Sequence, residues 1–503
     1  MPSVPEVRIA AANSSAPVTN GEYVLYWMTA FRRLRWNFAL DRSVEWAREL
    51  KKPLLIFEAL RCDYPWASER FHRFILDGMA EKATRLRSGR AGVAYFPYVE
   101  LKPGEGKGLL RALGARACVV VTDDYPSFFI PAMIKSAAKR LRCRFEAVDS
   151  NGLLPLRAAS KDFPTAYSFR RFLQKNLALH LANAPVPNPL ARLNLPRAKR
   201  LPAEVVAKWR PASEKQLRSR EFLQSILVHN EVGAASMRGG ETPAQKVWHE
   251  FLNRRLKEYS ESRNHPDAGG TSEISPYLHF GHISSHQIFQ ELMNRERWSE
   301  SKLSLRANGS REGWWGVRVS AEAFLDLLVT WRELGFNFSS HRKDDSKYSS
   351  LPGWAQSTLS KHARDGREHV YTLGEFAAAR THDPLWNAAQ RQLVIDGRIH
   401  NYLRMLWGKK ILEWTRSPQQ ALKVMIELNN RYALDGRDPN SYSGIFWCLG
   451  RYDHPWGPER PVFGTVRYMS SQNTARKVRV KRYLIKYGPQ QSVRCIVHHP
   501  RAR

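Results

Sequence analysis

The sequence predicts an N-terminal α/β domain with an open parallel sheet, followed by a mostly α-helical C-terminal domain. Between Glu22 and Leu156, short apolar runs alternate with amphipathic segments, which is typical of strands connected by crossover helices. Beyond residue 220 strand patterns nearly vanish, and apolar residues recur at the i, i+3, i+4 spacing of helices. Residues 181–220 are rich in Pro and Arg, which indicates a linker between the two domains.

Five segments of the first domain are predicted strands. In chain order they are EYVLYWM, PLLIFEAL, VAYFPYV, ACVVVTDD and CRFEAVD. The first two are nearly continuous apolar runs, as expected for strands covered on both faces. The predicted helices between them are NFALDRSVEWARELK, SERFHRFILDGMAEKATRLR, GKGLLRALGA and FFIPAMIKSAAKRLR.

Six segments of the second domain carry helical spacing. They are AQKVWHEFLNRRLKEYSE, SSHQIFQELMNRE, AEAFLDLLVTWRELGF, DPLWNAAQRQLVIDG, NYLRMLWGKKILEW and PQQALKVMIELNNRY. The predicted boundaries are a disordered N-terminus at 1–21, the α/β domain at 22–180, the linker at 181–220, the helical domain at 221–488 and a basic tail at 489–503.

Composition limits the partners and the compartment. The 503 residues contain 79 Lys and Arg against 47 Asp and Glu, a formal net charge of +32, which favours a polyanionic partner such as DNA. No apolar run approaches the ~20 residues that cross a bilayer, and no signal-peptide pattern opens the chain. The five cysteines are far apart without a CxxC pair, which argues against disulfides and a cysteine zinc site. We therefore expect a cytoplasmic protein, at the nucleoid if the source is bacterial, with no membrane partner.

Two local motifs suggest chemistry only weakly. The loop KPGEGKG, Lys102–Gly108, could bring backbone amides to a phosphate, but its GxGxG spacing is not the dinucleotide fingerprint, and we interpret it as a plain loop. His282 and His286 are four residues apart and could share a metal on one helix face. No third ligand accompanies them, so we interpret both as structural histidines and predict no metal.

A pair of tryptophans is more informative. Trp407 and Trp414 are seven residues apart, nearly two helical turns with a rise of roughly 10.5 Å. They therefore share one helix face, either as part of an apolar core stripe or at a separation suited to electron hopping. Lys409 and Lys410 between them indicate that the opposite face is solvated and basic.

Five longer motifs resemble those of class II cyclobutane pyrimidine dimer photolyases, in the photolyase/cryptochrome superfamily. They are TSEISPYLHFGHIS (271–284), THDPLWNAAQ (381–390), HNYLRMLWGKKILEW (400–414), LDGRDPN (434–440) and GRYDHPWGPERPVFGTVRYM (450–469). The resemblance extends from YWM at 26–28 to FGTVRYM at 463–469. It implies an N-terminal antenna-type domain and a C-terminal domain that holds FAD, active in its reduced form. A second antenna chromophore of unknown identity is also implied as possible.

The resemblance assigns cofactor contacts residue by residue. The contacts to the FAD diphosphate and ribityl region are Tyr259, Thr271, Ser272, Glu273, Ile274 and Ser275. Arg404 and Asp435 are similar to an ion pair beside the isoalloxazine, and Asn429 is similar to the residue that faces flavin N5. Asn387 is a further predicted contact.

Electron transfer and substrate contacts are implied in the same way. Trp386, Trp407 and Trp414 resemble the class II tryptophan chain, which favours the electron-transfer interpretation of the i, i+7 pair. Trp331 and Trp447 resemble the two indoles that hold a flipped pyrimidine dimer. The predicted DNA-facing residues are Arg263, Asn264, Asp453 and Arg467.

The chain departs from the family pattern at Leu327. Four residues before the clamp tryptophan the family has a substrate-contacting glutamate, and here that position is leucine. The neighbouring Asp326 points about 100° away on a helix and cannot replace it. A charge-assisted hydrogen bond to the dimer would contribute roughly 1.5–3 kcal/mol, so we expect a lower repair yield. A second departure is Tyr452, where the family has histidine.

Three functions follow as hypotheses. The first is a monomeric, FAD-dependent, light-driven lyase that repairs flipped pyrimidine dimers in damaged DNA with reduced efficiency. The second is a cryptochrome-like flavin photoreceptor of class II ancestry with little or no repair activity, which Leu327 motivates. The third is a basic helical DNA-binding protein without a cofactor, which would be colourless.

Overall fold

The computed structural model describes residues 3–87, 92–191, 193–197, 201–228 and 232–489. One sheet is formed by β1 (Ile9–Ala11), β2 (Tyr23–Met28), β3 (Leu54–Leu60), β4 (Val93–Val99), β5 (Ala117–Asp123) and β6 (Arg144–Val148). The strand order is β1-β6-β5-β2-β3-β4. All neighbours are parallel except β1, which is antiparallel to β6. The predicted open parallel sheet, followed by a helical region, is confirmed.

The central strand β2 is buried on both faces. Val24, Tyr26 and Met28 pack into one apolar cluster, whereas Tyr23 and Trp27 pack into another on the opposite face. Both alternating sets of side chains are therefore apolar, which explains the uninterrupted run in the sequence. The helices of this region are Phe38–Glu49, Glu69–Arg87, Leu109–Gly114 and Ile130–Ala138.

The N-terminal segment differs from the prediction. We expected residues 1–21 to be disordered, but β1 adds an antiparallel edge strand to β6. The preceding Arg8 is fully buried, donates from Nη2 to the Leu153 carbonyl at 2.7 Å and pairs with Asp149 at 3.5 Å. Backbone pairing and this buried cation fix a segment whose composition gives little indication of order.

The C-terminal region is helical. Its helices and those that lead into it are Ala166–Asn176, Ala178–Leu181, Ala203–Lys208, Glu214–Arg218, Arg220–Ser225, Glu241–Glu250, Tyr259–Ser262, Ser275–His279, Ser285–Arg295, Val319–Leu325, Arg332–His341, Gly353–Lys361, Leu373–Ala377, Pro384–Asp396, Asn401–Glu413, Pro418–Tyr432, Pro439–Trp447, Ser471–Lys477 and Lys481–Lys486. Two π-helical turns, Phe251–Arg255 and Asp326–Trp331, interrupt this pattern. The predicted linker at 181–220 contains short helices that pack on the core through Trp209 and Leu217.

Residues 490–503 of the predicted basic tail lie outside the described residues. In the described ranges no helix has the length and apolar character needed to cross a membrane.

The carboxyl end of β5 is tied to the loop after β2 by Asp123. Its carboxylate accepts hydrogen bonds from Tyr26 Oη at 2.7 Å and from the backbone N–H groups of Thr29, Ala30 and Phe31 at 2.7–2.9 Å. Asp123 is fully buried, so these donors have no water to replace it.

We predict that Asp123→Ala lowers the free energy of unfolding by about 2–5 kcal/mol, because several buried donors lose a charged acceptor. Urea denaturation followed by fluorescence measures the loss. The matched control is Asp63→Ala, which removes an exposed pair with Arg61 and should cost less than about 1 kcal/mol. Equal effects of the two variants would contradict this account of Asp123.

Candidate functional site

A carboxylate in the connection between two helices joins three separate segments of the chain. Asp435 lies between helices Pro418–Tyr432 and Pro439–Trp447. Arg404 Nη2 donates to its two oxygens at 3.2 and 3.3 Å, and Ser275 Oγ donates to Oδ2 at 2.8 Å. The structure therefore brings together three residues that the sequence resemblance assigned to one site.

The loop Thr271–Ile274 directly precedes Ser275, which contacts this carboxylate. Glu273 adopts a left-handed backbone conformation with φ 60° and pairs with Arg398 at 2.5 Å, while Arg255 donates to the Thr271 carbonyl at 3.0 Å. Among the described residues, the N–H groups of Ser272 and Glu273 have no hydrogen-bond partner. Free amides followed by a helix suit an anionic group. Ile274 is buried and Ser275 is exposed.

The remaining predicted cofactor contacts have different surroundings. Tyr259 is buried beside Phe251 and Phe324, and burial raises the pKa of its phenol to about 12. Asn429 is buried and donates to Ser441 Oγ at 2.9 Å. Asn387 directs its amide at Thr381 through three hydrogen bonds. Flavin contacts by these three residues stay predictions.

Three buried tryptophans are linked by one ring contact and one hydrogen bond from an indole to the backbone. Trp386 and Trp414 have ring centroids 6.0 Å apart at 68°. Trp386 Nε1 donates to the backbone carbonyl of Trp407 at 3.0 Å, and Trp407 Nε1 donates to Gln390 Oε1 at 2.9 Å. All three side chains are at most 3% exposed. Trp386, on the neighbouring helix, thus contacts both members of the i, i+7 pair.

The solvated basic face predicted for helix Asn401–Glu413 is wrong. Lys409 is fully buried and Lys410 is 7% exposed. Lys409 Nζ lies 5.0 Å above the Trp447 ring, and Lys410 pairs with Glu413 at 2.6 Å. Burial lowers the pKa of Lys409 to about 8. Aromatic rings and an acidic partner allow both amines to be buried.

The two predicted clamp tryptophans end adjacent elements. Trp331 ends the π-helical turn and Trp447 ends helix Pro439–Trp447, and both are half-buried. Gly335 lets helix Arg332–His341, which follows Trp331, pack closely on helix Pro439–Trp447. A Cβ at this position would lie 2.7 Å from the Pro439 carbonyl oxygen. This close packing fixes the separation of the elements that carry the two indoles.

The predicted DNA-facing residues fall in two places. Arg467 is exposed, with its guanidinium 4.6 Å from the Trp456 ring and 5.9 Å from the Trp447 ring. Asp453 Oδ1 accepts from Trp456 Nε1 at 3.1 Å and so shapes the same loop. Arg263 lies over Tyr259 at 5.8 Å, and Asn264 is exposed.

Leu327 lies in the π-helical turn Asp326–Trp331, where sequence spacing predicted a regular helix. It is half-buried and packs against the large apolar cluster, as Trp331 does. Asp326 turns away and pairs with Arg170 at 2.8 Å. Neither residue therefore offers a free carboxylate at this position. Tyr452 is buried with φ 65° against Phe338.

Sequence analysis missed a cavity of about 540 Å³ at the carboxyl ends of β2–β5. Such edges are common ligand positions in open α/β sheets. The lining includes Trp27, Phe57, Tyr98, Tyr125, Phe128 and Phe280. The lining also includes Lys107 of the KPGEGKG loop, whose Gly104 and Gly106 amides donate to Glu100. The glycines of that loop, which we interpreted as a loop without a binding role, were the one feature of the sequence that pointed to this cavity.

The two histidines of helix Ser285–Arg295 and the turn before it are buried. Burial holds the pKa of both His282 and His286 well below the usual value. His282 Nδ1 accepts from the Gly240 amide at 2.9 Å. In the part of the chain that the structure describes, no group of three or more His, Cys, Asp or Glu side chains is arranged to hold a metal.

Comparison with known proteins identifies the family. The chain is 35% identical to the deoxyribodipyrimidine photo-lyase of Methanothermobacter thermautotrophicus over 478 residues, which are 95% of this chain and 97% of the relative. A bacterial class III photolyase from Agrobacterium tumefaciens shares the fold with a TM-score of 0.66 at 16% identity, covering 94% of this chain and 88% of that one. A cryptochrome from Synechocystis shares the fold with a TM-score of 0.65 at 14% identity, covering 97% of this chain and 89% of that one. No family model matches the sequence.

The chain therefore belongs to the photolyase/cryptochrome family. It is a deoxyribodipyrimidine photolyase-like lyase, and membership of this family implies that it binds flavin.

The residues present fit FAD. Unpartnered amides in the loop Thr271–Ile274 suit the diphosphate. The Asp435 carboxylate, held by Arg404 and Ser275, can accept from a polar ring edge.

We predict that Asp435→Asn weakens flavin retention about ten- to a hundredfold, because charge-assisted hydrogen bonds contribute about 1.5–3 kcal/mol. The ratio of flavin to protein absorbance after dialysis at graded dilution measures the change. Asp344→Asn is the control, since it neutralises a surface Arg–Asp pair with Arg342. Equal flavin retention in both variants would remove Asp435 from the site.

Proposed function

We propose that this protein is a class II photolyase that binds FAD and repairs cyclobutane pyrimidine dimers in DNA under blue or near-UV light. One observation carries the proposal. On helix Asn401–Glu413, Arg404 of the ion pair with Asp435 and Trp407 of the three buried tryptophans are three residues apart. A rise of only about 4.5 Å therefore separates their backbones. FAD, when bound, supplies the light-absorbing ring and the electron that opens the cyclobutane.

Trp407, Trp386 and Trp414 then form the path by which electrons reach the cofactor site. The N–H groups of Trp386 and Trp407 donate to a backbone carbonyl and an amide oxygen. Neither acceptor is basic enough to remove a proton from an oxidised indole. The positive charge therefore has no local proton acceptor at the two inner positions and moves outward to Trp414.

Trp331 and Trp447 hold the flipped dimer. Flipping costs a few kcal/mol, least at a damaged site, and aromatic stacking of about 1–3 kcal/mol per base helps offset it. The Lys409 ammonium lies over the Trp447 ring. Arg467 and Asp453 contact Trp456 in the adjacent loop, which we place against the DNA strand. Arg263 and Asn264 contact DNA at a second place. A monomer with a net charge of +32 binds through phosphate contacts that salt weakens.

The cavity at the sheet edge is the proposed place for an antenna chromophore. Its lining combines aromatic rings with charged side chains that include Glu100 and Arg437, a mixture that suits a planar pigment with polar groups. Its chemical identity stays open.

The second candidate function is a cryptochrome-like photoreceptor of the same ancestry. Leu327 favours it, because the clamp lacks a carboxylate there and Asp326 is committed to Arg170. A photolyase restores damaged DNA when it is illuminated, whereas a photoreceptor does not. One repair assay therefore separates the two functions.

Photorepair decides between these functions. We predict that purified, flavin-containing protein restores thymines in an oligonucleotide with one pyrimidine dimer only when illuminated. Restored thymine is counted by chromatography, with a dark sample and an illuminated protein-free sample as controls. No turnover above the protein-free sample, from protein whose flavin is photoreduced, favours the receptor.

We predict that Leu327→Glu raises the repair yield per absorbed photon, because a carboxyl group there gives the dimer a charge-assisted hydrogen bond. Leu327→Gln is the matched control for side-chain size, and we expect a smaller gain from its neutral amide. Quantum yields of all three proteins are compared at equal flavin content. If neither variant exceeds the parent, Leu327 does not limit repair.

A further inference from the structure

The outermost indole, Trp414, lies against two polar rings. The ring of Tyr371 is 5.7 Å from it at 80°, and the ring of His382 is 4.9 Å from it at 64°. The Tyr371 N–H also donates to the Trp414 carbonyl at 3.0 Å, which holds this tyrosine at the end of the indole sequence. Trp414 itself is 3% exposed, whereas His382 is exposed.

Tyr371 and His382 are joined by two hydrogen bonds. The backbone N–H of His382 donates to the Tyr371 hydroxyl oxygen at 3.0 Å, and the hydroxyl lies 2.7 Å from His382 Nδ1. With His382 protonated at Nε2, the phenol donates its proton to Nδ1, and the phenol oxygen that already accepts the amide favours this tautomer. Burial and the neighbouring His369, whose ring centroid is 3.8 Å away, lower the pKa of His382. The imidazole is therefore neutral at pH 7 and can accept a proton.

We propose that Tyr371 is a fourth member of the electron path and that His382 is its base. Once the oxidised indole of Trp414 is formed, one electron passes from Tyr371 to Trp414, and the phenol proton passes to His382 Nδ1. The products are neutral Trp414, a neutral tyrosyl radical and protonated His382, so charge and atoms balance. The oxidant is the tryptophan radical cation that the proposed light-driven chemistry generates, and the inference rests on that function.

Because Tyr371 loses its proton together with the electron, the oxidised state is stabilised on this residue. Return of the electron to Tyr371 requires His382 to give its proton back, whereas exposed His382 can pass that proton to solvent. Trp386 and Trp407 lack such an acceptor, as described above. Charge separation is therefore expected to last longest at Tyr371.

Tyr468 offers a built-in comparison. It shares Lys410 with Trp414, because Lys410 Nζ lies 5.4 Å from the Trp414 ring and 5.7 Å from the Tyr468 ring. Among the described residues, no base is hydrogen-bonded to the Tyr468 hydroxyl. A nearby phenol without a proton acceptor should not be oxidised.

The test is electron paramagnetic resonance of flavin-containing protein frozen after illumination, with ring-deuterated tyrosine in the unsubstituted chain. We expect a tyrosyl spectrum that deuteration narrows. Tyr371→Phe should lose it and leave an indolyl signal as the radical on the protein. His382→Gln, which keeps an acceptor but not a base, should lose the tyrosyl spectrum too. Tyr468→Phe should retain it.

A dark readout tests the hydrogen bond independently of photochemistry. Nuclear magnetic resonance of protein with ¹⁵N-labelled histidine gives a signal for His382 Nδ1, which is assigned by its absence in His382→Gln. The chemical shift of this signal should change in Tyr371→Phe and stay the same in Tyr468→Phe. An unmoved resonance overturns the pairing, even if a variant loses flavin.

The outcomes separate the two proposals. An indolyl radical in the unsubstituted protein, unchanged by tyrosine deuteration, overturns the role of Tyr371 and leaves the tryptophan path intact. A tyrosyl signal that survives Tyr371→Phe assigns the radical elsewhere and also overturns it. Absence of any light-induced radical, from protein that retains flavin, overturns the indole path itself and this inference with it.

Discussion

The hydrogen bonds on the Asp435 carboxylate are the constraint on which the rest of the site depends. They join the first residue of helix Ser275–His279, the helix Asn401–Glu413 and the connection after Pro418–Tyr432. Since Arg404 fixes the rotation of its helix at this point, it also fixes the direction in which Trp407 points one turn later. One largely buried ion pair therefore sets the positions of both the proposed cofactor region and the proposed electron path.

The same helix links that path to the clamp. Gly408 packs against the next element so closely that a Cβ would lie 2.4 Å from Cys448 Sγ, one residue beyond Trp447. Lys409 then covers the Trp447 ring. A helix with aromatic contacts on several sides has little need of an amphipathic pattern, so its lysines are buried where solvent was expected. The residues proposed for electron transfer and those proposed for base binding consequently belong to one packed unit.

Sequence reasoning succeeded where apolar patterns are long. The alternation of strands and helices predicted β2–β6, but β1 has only three residues with two alanines and gives no pattern. The π-helical turn at Asp326–Trp331 was invisible because its extra residue leaves helical spacing nearly intact. Arg404, Asp435 and Ser275 were found from motifs, whereas spacing alone paired Trp407 with Trp414 and could not place Trp386 against both. The cavity depends on side chains from strands β2–β4 and from the loops and helices beside them, which no local pattern brings together.

The five-residue helix Ser275–His279 has a consequence for light capture. Its first residue contacts Asp435, and its last contributes to the cavity wall and pairs with Asp438 at 3.3 Å. About 7.5 Å of rigid backbone thus spans from one region to the other. A pigment bound at the sheet edge would keep a constant distance and angle to a flavin ring bound near Asp435. Energy funnelling would then be insensitive to the motions of surface loops.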